Sequence, residues 1–268
     1  MKKVALLCLI AVLGTSLLFA GGNQEKSGDN SLTYIKEKGT FILGLDDSFP
    51  PMGFRGEDGE VTGFDIDLAK ELCKRMGVEL VLQSIDWDAK ILDLNSKDID
   101  VIWNGLTITD ERLQKIEFSK PYIANRQIVI VQSASGIDLK SDLADKSVGF
   151  QLGSSAEAAI NADAAVAASF ADSFKYQDNI QALMDLGAGK IDAVVVDEIL
   201  GRYYISKKPE IYTVATEYFS EEEYGIGIRK DELAFKAEID RVFDEMVADG
   251  AAVAISKKWF AEDILLER

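Results

Sequence analysis

Short apolar runs alternate with segments of helical spacing along nearly the whole chain, and that alternation leaves few folds open. Residues 41–45, 78–83 and 99–103 have the length and apolar content of buried strands. Between them, 65–76 repeats apolar residues at helical spacing and stops at Gly77; 89–96 does so through Ile91, Leu92 and Leu94. Strands alternating with helices pack as a parallel sheet with crossover connections. A second set begins after the Pro121-Tyr122 break with the even run Ile128-Val129-Ile130-Val131, inside a strand predicted for 126–132. It continues with strands at 147–151, 174–176 and 192–196, an alanine-rich helix at 155–168 and a helix at 180–186. A short strand at 225–228, an amphipathic helix at 232–249 and a terminal helix holding Trp259 and Phe260 complete the chain. The expected class is α/β: two lobes, each a mainly parallel sheet flanked by helices, with the chain passing between them twice.

Composition narrows the function classes. At 268 residues the chain has material for one large core or two modest ones. A formal net charge of −17 argues against nucleic acid or anionic lipid as a partner, because nothing here would release phosphate counterions. Met1-Lys2-Lys3, the apolar run 4–20 and the small and polar residues Gly21-Gly22-Asn23-Gln24 are laid out as a secretory signal peptide, 1–20, cut after Ala20. An uncleaved anchor is the alternative, although the run is barely long enough to span a bilayer. Cys8 lies inside the run and residue 21 is glycine, so a lipid anchor is not supported; 21–30 reads as a flexible tether. The remaining thiol, Cys73, falls among Ala69, Leu72 and Met76 at helical spacing and is expected in the core. Histidine is absent, which excludes Ser-His-Asp and Cys-His chemistry and the usual zinc sites; neither metal nor cofactor is expected.

Three stretches have the makings of a site. In Asn104-Gly105-Leu106-Thr107-Ile108-Thr109-Asp110-Glu111-Arg112, Thr109 is a candidate N-cap, and Asp110 and Glu111 suit the positive end of a helix. Arg112 does not suit it: either it pairs with a surface carboxylate or it is placed to receive an anion. In 148–157, a strand runs through Gly153 into a helix start with Ser154 and Glu157 at capping-box spacing. Its free N–H groups form either an anion cradle or an ordinary capped end. Asp197 closes Ala193-Val194-Val195-Val196-Asp197, as an ammonium receptor above the sheet, as an N-cap, or as both. Asp46-Asp47-Ser48-Phe49-Pro50-Pro51-Met52 is a rigid loop past a strand end. Phe49 and Trp87 fall in loops after strands, where a core role and a ligand-facing role both stay open.

Taken together, Phe49–Phe54, Gly63–Ala69, Thr107–Arg112, Phe118–Tyr122, Gly149–Ser155 and Asp192–Asp197 resemble one family: the polar amino-acid solute-binding proteins of bacterial ABC importers. The resemblance runs in order over nearly the whole mature chain. It implies a periplasmic-binding-protein architecture with lobe 1 at 31–122 plus 225–268, lobe 2 at 127–219, and hinges at 122–127 and 220–224. It implies a non-enzymatic, monomeric, exported protein, in the periplasm or at the outer face of the inner membrane, that closes over a free amino acid and delivers it to an ABC permease. The matching positions would give Arg112 the α-carboxylate, helped by N–H groups near Ser154 and Ser155. The α-ammonium would fall to Asp197, the Gly105 carbonyl and the Thr107 hydroxyl. Asp46, Phe49, Trp87 and Gln151 would surround the ligand side chain, which favours a basic or amide amino acid. The competing readings are an exported dehydratase on the same scaffold, acting on cyclic amino-acid precursors, and a sensing partner of a membrane receptor.

Overall fold

The computed structural model describes residues 28–268; the signal segment expected at 1–20 and the tether up to residue 27 lie outside the described residues. Two five-stranded sheets carry the fold. The first runs in the order Glu79–Ser84, Thr40–Leu45, Val101–Ile102, Gly227–Ile228, Glu117–Phe118. Its first three strands are parallel, and Gly227–Ile228 runs antiparallel to both of its neighbours. The second has the order Asp172–Tyr176, Ser147–Gln151, Ala193–Asp197, Ile123–Gln132, Tyr212–Tyr224. Here too three consecutive strands are parallel, and Ile123–Gln132 runs antiparallel to both of its neighbours. Each sheet therefore has the parallel set that the alternation of strands and helices predicts, and the antiparallel members enter where the chain crosses between lobes. Ile123–Gln132 leads out and Tyr212–Tyr224 leads back, and they pair with each other from Ile123↔Tyr224 to Gln127↔Ser220.

Helices cover the sheets through apolar stripes. Phe64–Met76 has Asp65 and Asp67 in its first turn, and its end is closed by left-handed Gly77, whose N–H bonds the Cys73 and Lys74 carbonyls. It buries Ile66, Leu68, Ala69, Leu72 and Cys73 in the core, as expected of that thiol. Leu233–Ala248 buries Phe235, Ile239, Val242, Phe243 and Met246, with Phe235 edge-on to Phe41 at 5.6 Å.

Some predicted elements change. The alanine-rich helix is two, Ser155–Ala162 and Ala164–Ala167. Asp163 between them leaves helical geometry (φ −97°, ψ 64°), and its carboxylate accepts from Lys140 Nζ at 2.7 Å. Residues 99–103 are all buried, but only Val101–Ile102 is strand. Elements without a sequence counterpart include the helix Ser31–Lys38, the strand Glu117–Phe118 and most of the strand Tyr212–Tyr224, of which only 220–224 was anticipated, as a hinge.

Candidate functional site

The parallel strands of both sheets end at one gap between the lobes, as the crossover topology requires. Past Val101–Ile102, the chain turns at Gly105, which has φ +59°. A β-carbon there would lie 2.9 Å from Phe49 Cε1 and 3.2 Å from the Tyr224 ring, so only glycine allows this approach. Its N–H donates to Asp65 Oδ2 at 2.8 Å, while Tyr122 Oη donates to both Asp65 oxygens. Burial pushes the Asp65 carboxyl up to about 7. Sequence reasoning had placed Asp65 only as a helix start; here it anchors the turn that carries Thr107.

Thr109 does cap the next helix, accepting the Arg112 N–H at 3.2 Å. Arg112 itself is 7 % exposed and forms no surface pair. Its Nη1 donates to the Thr107 carbonyl at 2.7 Å and its Nη2 to the Gly153 carbonyl, on the other lobe, at 3.4 Å. Burial pulls its pKa down, against the fields of Glu222 and Asp197. Lys90, which the sequence placed on a helix without a role, joins it. Lys90 is 4 % exposed, lies 4.9 Å over the Trp87 ring and donates to the carbonyls of Trp87 and Gly153 at 2.7 and 2.9 Å. Burial, and then the Arg112 charge, hold its pKa well below the ordinary lysine value. Among the described residues neither cation makes an ion pair with a carboxylate.

Across the gap, Ser154 Oγ accepts the Glu157 N–H at 3.3 Å and the Glu157 carboxylate accepts the Gly153 N–H at 2.8 Å, closing the expected helix start. Ser155 Oγ lies 3.0 Å from Thr107 Oγ1 and accepts from Gln127 Nε2 at 3.0 Å. Asp197 makes no side-chain cap. Instead, its Oδ1 accepts from Asn125 Nδ2 and Tyr224 Oη, both at 2.7 Å. Burial, and then the charge of Glu222, push its carboxyl up to about 7.

Glu222 is the third residue the sequence did not single out. Its Oε2 accepts from Thr107 Oγ1 at 2.8 Å, Gln127 Nε2 at 3.0 Å and Asn125 Nδ2 at 3.3 Å. The run Glu221-Glu222-Glu223 reads as a solvated face; on a strand, period two turns Glu222 inward while its neighbours stay exposed. That parity was the available signal.

A third group closes the far side. Gln151 Nε2 donates to Asp46 Oδ2 at 2.7 Å, from one lobe to the other, and Asn179 Nδ2 donates to Gln151 Oε1 at 3.1 Å. Burial raises the Asp46 pKa, opposed by bonds from Ser48 and Gln151. Phe49 is buried against Gly105. Trp87 sits in a 3-10 turn and packs in an apolar cluster with Leu94, Ile99, Ile102, Leu106, Ile116 and Phe118. That packing gives it a core contact on one side, with Lys90 over its face. All ten predicted residues are buried. A hydrogen-bonded path runs from Arg112 through Thr107, Glu222 and Asn125 to Asp197. Cations gather at one end of this path and carboxylates at the other.

Comparison with known proteins gives the family. The profile of the bacterial extracellular solute-binding proteins, family 3, matches residues 41–262. The L-cystine-binding protein TcyJ of Escherichia coli is 34 % identical over 258 residues, 96 % of each chain. The histidine-binding periplasmic protein of Salmonella typhimurium is 34 % identical over 83 % of this chain and 88 % of its own. A histidine-bound substrate-binding protein of an ABC uptake transporter from Streptococcus pneumoniae superposes with a TM-score of 0.86 at 35 % identity, covering 90 % of this chain and all of that one. Such relatives are named for what they bind, and this chain too is a binding protein and not an enzyme. With its profile, its relatives and its two-lobed fold in agreement, the chain belongs to the bacterial extracellular solute-binding proteins, family 3.

Proposed function

We propose that this protein captures a free polar or basic L-α-amino acid outside the cytoplasm by closing its lobes, and delivers it to an ABC import permease. The observation that carries the reading is the charge pattern of the gap: a buried Arg112 bonded only to carbonyl oxygens, facing Asp197 and Glu222 on the other side. A zwitterion supplies an anion to the first and a cation to the second. In this reading Arg112 takes the α-carboxylate with N–H groups near Ser154 and Ser155. The α-ammonium goes to Asp197, the Gly105 carbonyl and Thr107 Oγ1. Asp46, Phe49 and Gln151 line the side-chain end, and Trp87 backs it from the apolar cluster. The lobes are 31–122 plus 225–268 and 127–219, moving about 122–127 and 220–224. Contacts from Thr107 to Ser155, Lys90 to Gly153 and Asp46 to Gln151 are those of a closed form. Relatives named for cystine, histidine and arginine support an amino-acid ligand, and the buried Asp46 acceptor supports a basic or amide side chain. Export by the signal segment 1–20, action as a monomer and release to a permease complete the proposal.

Thermal-shift measurement against the twenty amino acids, ornithine, citrulline and cystine tests it, because a ligand that binds only the folded protein raises the melting temperature. A clear shift with one or a few of them is expected. No shift with any would sink the proposal.

A further inference from the structure

We propose that Glu222 is the second carboxylate of the ammonium end: its charge keeps a proton on Asp197 while the site is empty, and an arriving amino-acid ammonium displaces that proton to solvent. The inference rests on the reading of Asp197 as ammonium receptor. Its ground is geometric. A single amide group, Asn125 Nδ2, donates to Asp197 Oδ1 at 2.7 Å and to Glu222 Oε2 at 3.3 Å, so the two carboxylates lie no more than two hydrogen bonds apart.

Every donor on them is neutral: Asn125 and Tyr224 on Asp197; Thr107, Gln127, Asn125 and Ser220 on Glu222. Of the surrounding charges, Arg112 offsets them only in part. Arg126, on the outgoing strand, turns away to Glu198, which begins the helix after Asp197, at 2.6 Å. On the returning strand Glu221 and Glu223 are exposed. From lobe 1 comes Arg112, whose hydrogen bonds go to carbonyl oxygens. Beside the pair, Asn125 Oδ1 and Gln127 Oε1 are buried acceptors without a protein donor, so this end is short of hydrogens and of positive charge.

Two neighbouring carboxylates in such a place do not both ionise readily. The Asp197 carboxyl, pushed up to about 7, agrees with that. The exchange balances. With one proton the pair carries a single negative charge. With the proton gone and an ammonium bound, the ammonium and both carboxylates together carry the same charge. One carboxyl O–H bond breaks, its proton passes to water and buffer, and N–H···O bonds to Asp197 form in its place. Affinity must then fall as pH drops through the range in which empty Asp197 takes up its proton.

Titration calorimetry with L-arginine, or with L-glutamine if arginine gives no thermal shift, decides this. At a pH of about 6 the measured enthalpy should differ between phosphate and Bis-Tris by roughly one proton's ionisation per amino acid bound. At a pH of about 8, in phosphate and Tris, the difference should shrink towards zero. Between about pH 7 and pH 5 the affinity should fall close to tenfold per unit. In Glu222→Gln, which keeps an acceptor for Thr107, Asn125 and Gln127, burial alone is left to raise the Asp197 carboxyl, so the proton release at about pH 6 should be measurably smaller and the fall in affinity should move to lower pH. Equal wild-type enthalpies in both buffers at about pH 6, or undiminished release in Glu222→Gln, overturns the inference. Undiminished binding by Asp197→Asn, or no binding of any amino acid, overturns instead the reading beneath it.

Discussion

Arg112 was visible in the sequence because it violates a local rule. A cation in the first turn of a helix that already carries Asp110 and Glu111 had to be accounted for by something outside the helix, and the structure turns its guanidinium inward to 7 % exposure. Arg112→Ala should therefore weaken amino-acid binding by about 3–5 kcal/mol, as expected when one partner of a desolvated charge contact is removed. Calorimetry with the amino acid giving the largest thermal shift would check this, and unchanged affinity would take Arg112 out of the site. Asp65, Lys90 and Glu222 break no local rule: each sits where its residue type is common on a solvated surface, and only tertiary packing buries it. Asp65 offers a test of that burial. Its carboxyl, pushed up to about 7, compares with an unfolded value of about 3.9. A raised acid favours the protonated folded form, so ionising Asp65 destabilises the fold, an effect that is full above a pH of about 7 and fades towards about 4. Asp65→Asn should thus melt higher than wild type at pH 8, with the gain shrinking steadily as pH is lowered to about 4. A melting difference that does not vary with pH would refute the assignment.

Elements with a clean period and a proper stop were readable to within a few residues: Thr40–Leu45, Phe64–Met76, Ser147–Gln151 and Leu233–Ala248. The failures share a cause. Tyr212–Tyr224 lies at the edge of its sheet with one side in water, so its acids hide the alternation that defines it. Ser31–Lys38 buries only Ser31 and Ile35, too few for an apolar stripe to show. The 155–168 segment was read as one helix on alanine propensity, which Asp163 overrides by leaving helical geometry. The start of that segment can be tested separately. Ser154 Oγ both accepts the Glu157 N–H and donates to the Gln151 carbonyl at 2.7 Å, tying the helix start to the strand before it. Ser154→Ala should cost about 1 kcal/mol of stability by urea unfolding, the usual loss for a cap. It should also weaken amino-acid binding, because the same turn presents the N–H groups proposed for the carboxylate. A stability loss with affinity intact would mean that the cap is structural only.

For the whole molecule, the proposed closure raises the question of what keeps the lobes apart until a ligand arrives. Two lobes and two crossings could be read from the order of strands and helices, but the energetics of closing them could not, because they depend on which charges closure buries. Arg112 and Lys90 both bond the Gly153 carbonyl across the gap, so in the closed form two cations share one oxygen and are nearly stripped of water. Gly153 itself is pressed on Asp88: a β-carbon there would stand 3.0 Å from its Cα, so the approach is close and the cations have little room to stay solvated. On the proposed function, closing the empty protein must bear the desolvation of both charges, which a bound carboxylate would offset. A ligand closes the lobes only by as much as it prefers the closed form, and this penalty supplies the preference. Lys90→Met keeps the apolar stem over Trp87 and removes one of the two charges. It should let the empty protein close more often, so that its radius of gyration by small-angle X-ray scattering moves towards the value of the amino-acid-bound wild type. Empty wild type should remain the more extended of the two, and compact on adding the amino acid. If empty Lys90→Met scatters as the empty wild type does, while the wild type still compacts with ligand, then the buried lysine does not hold the gap open.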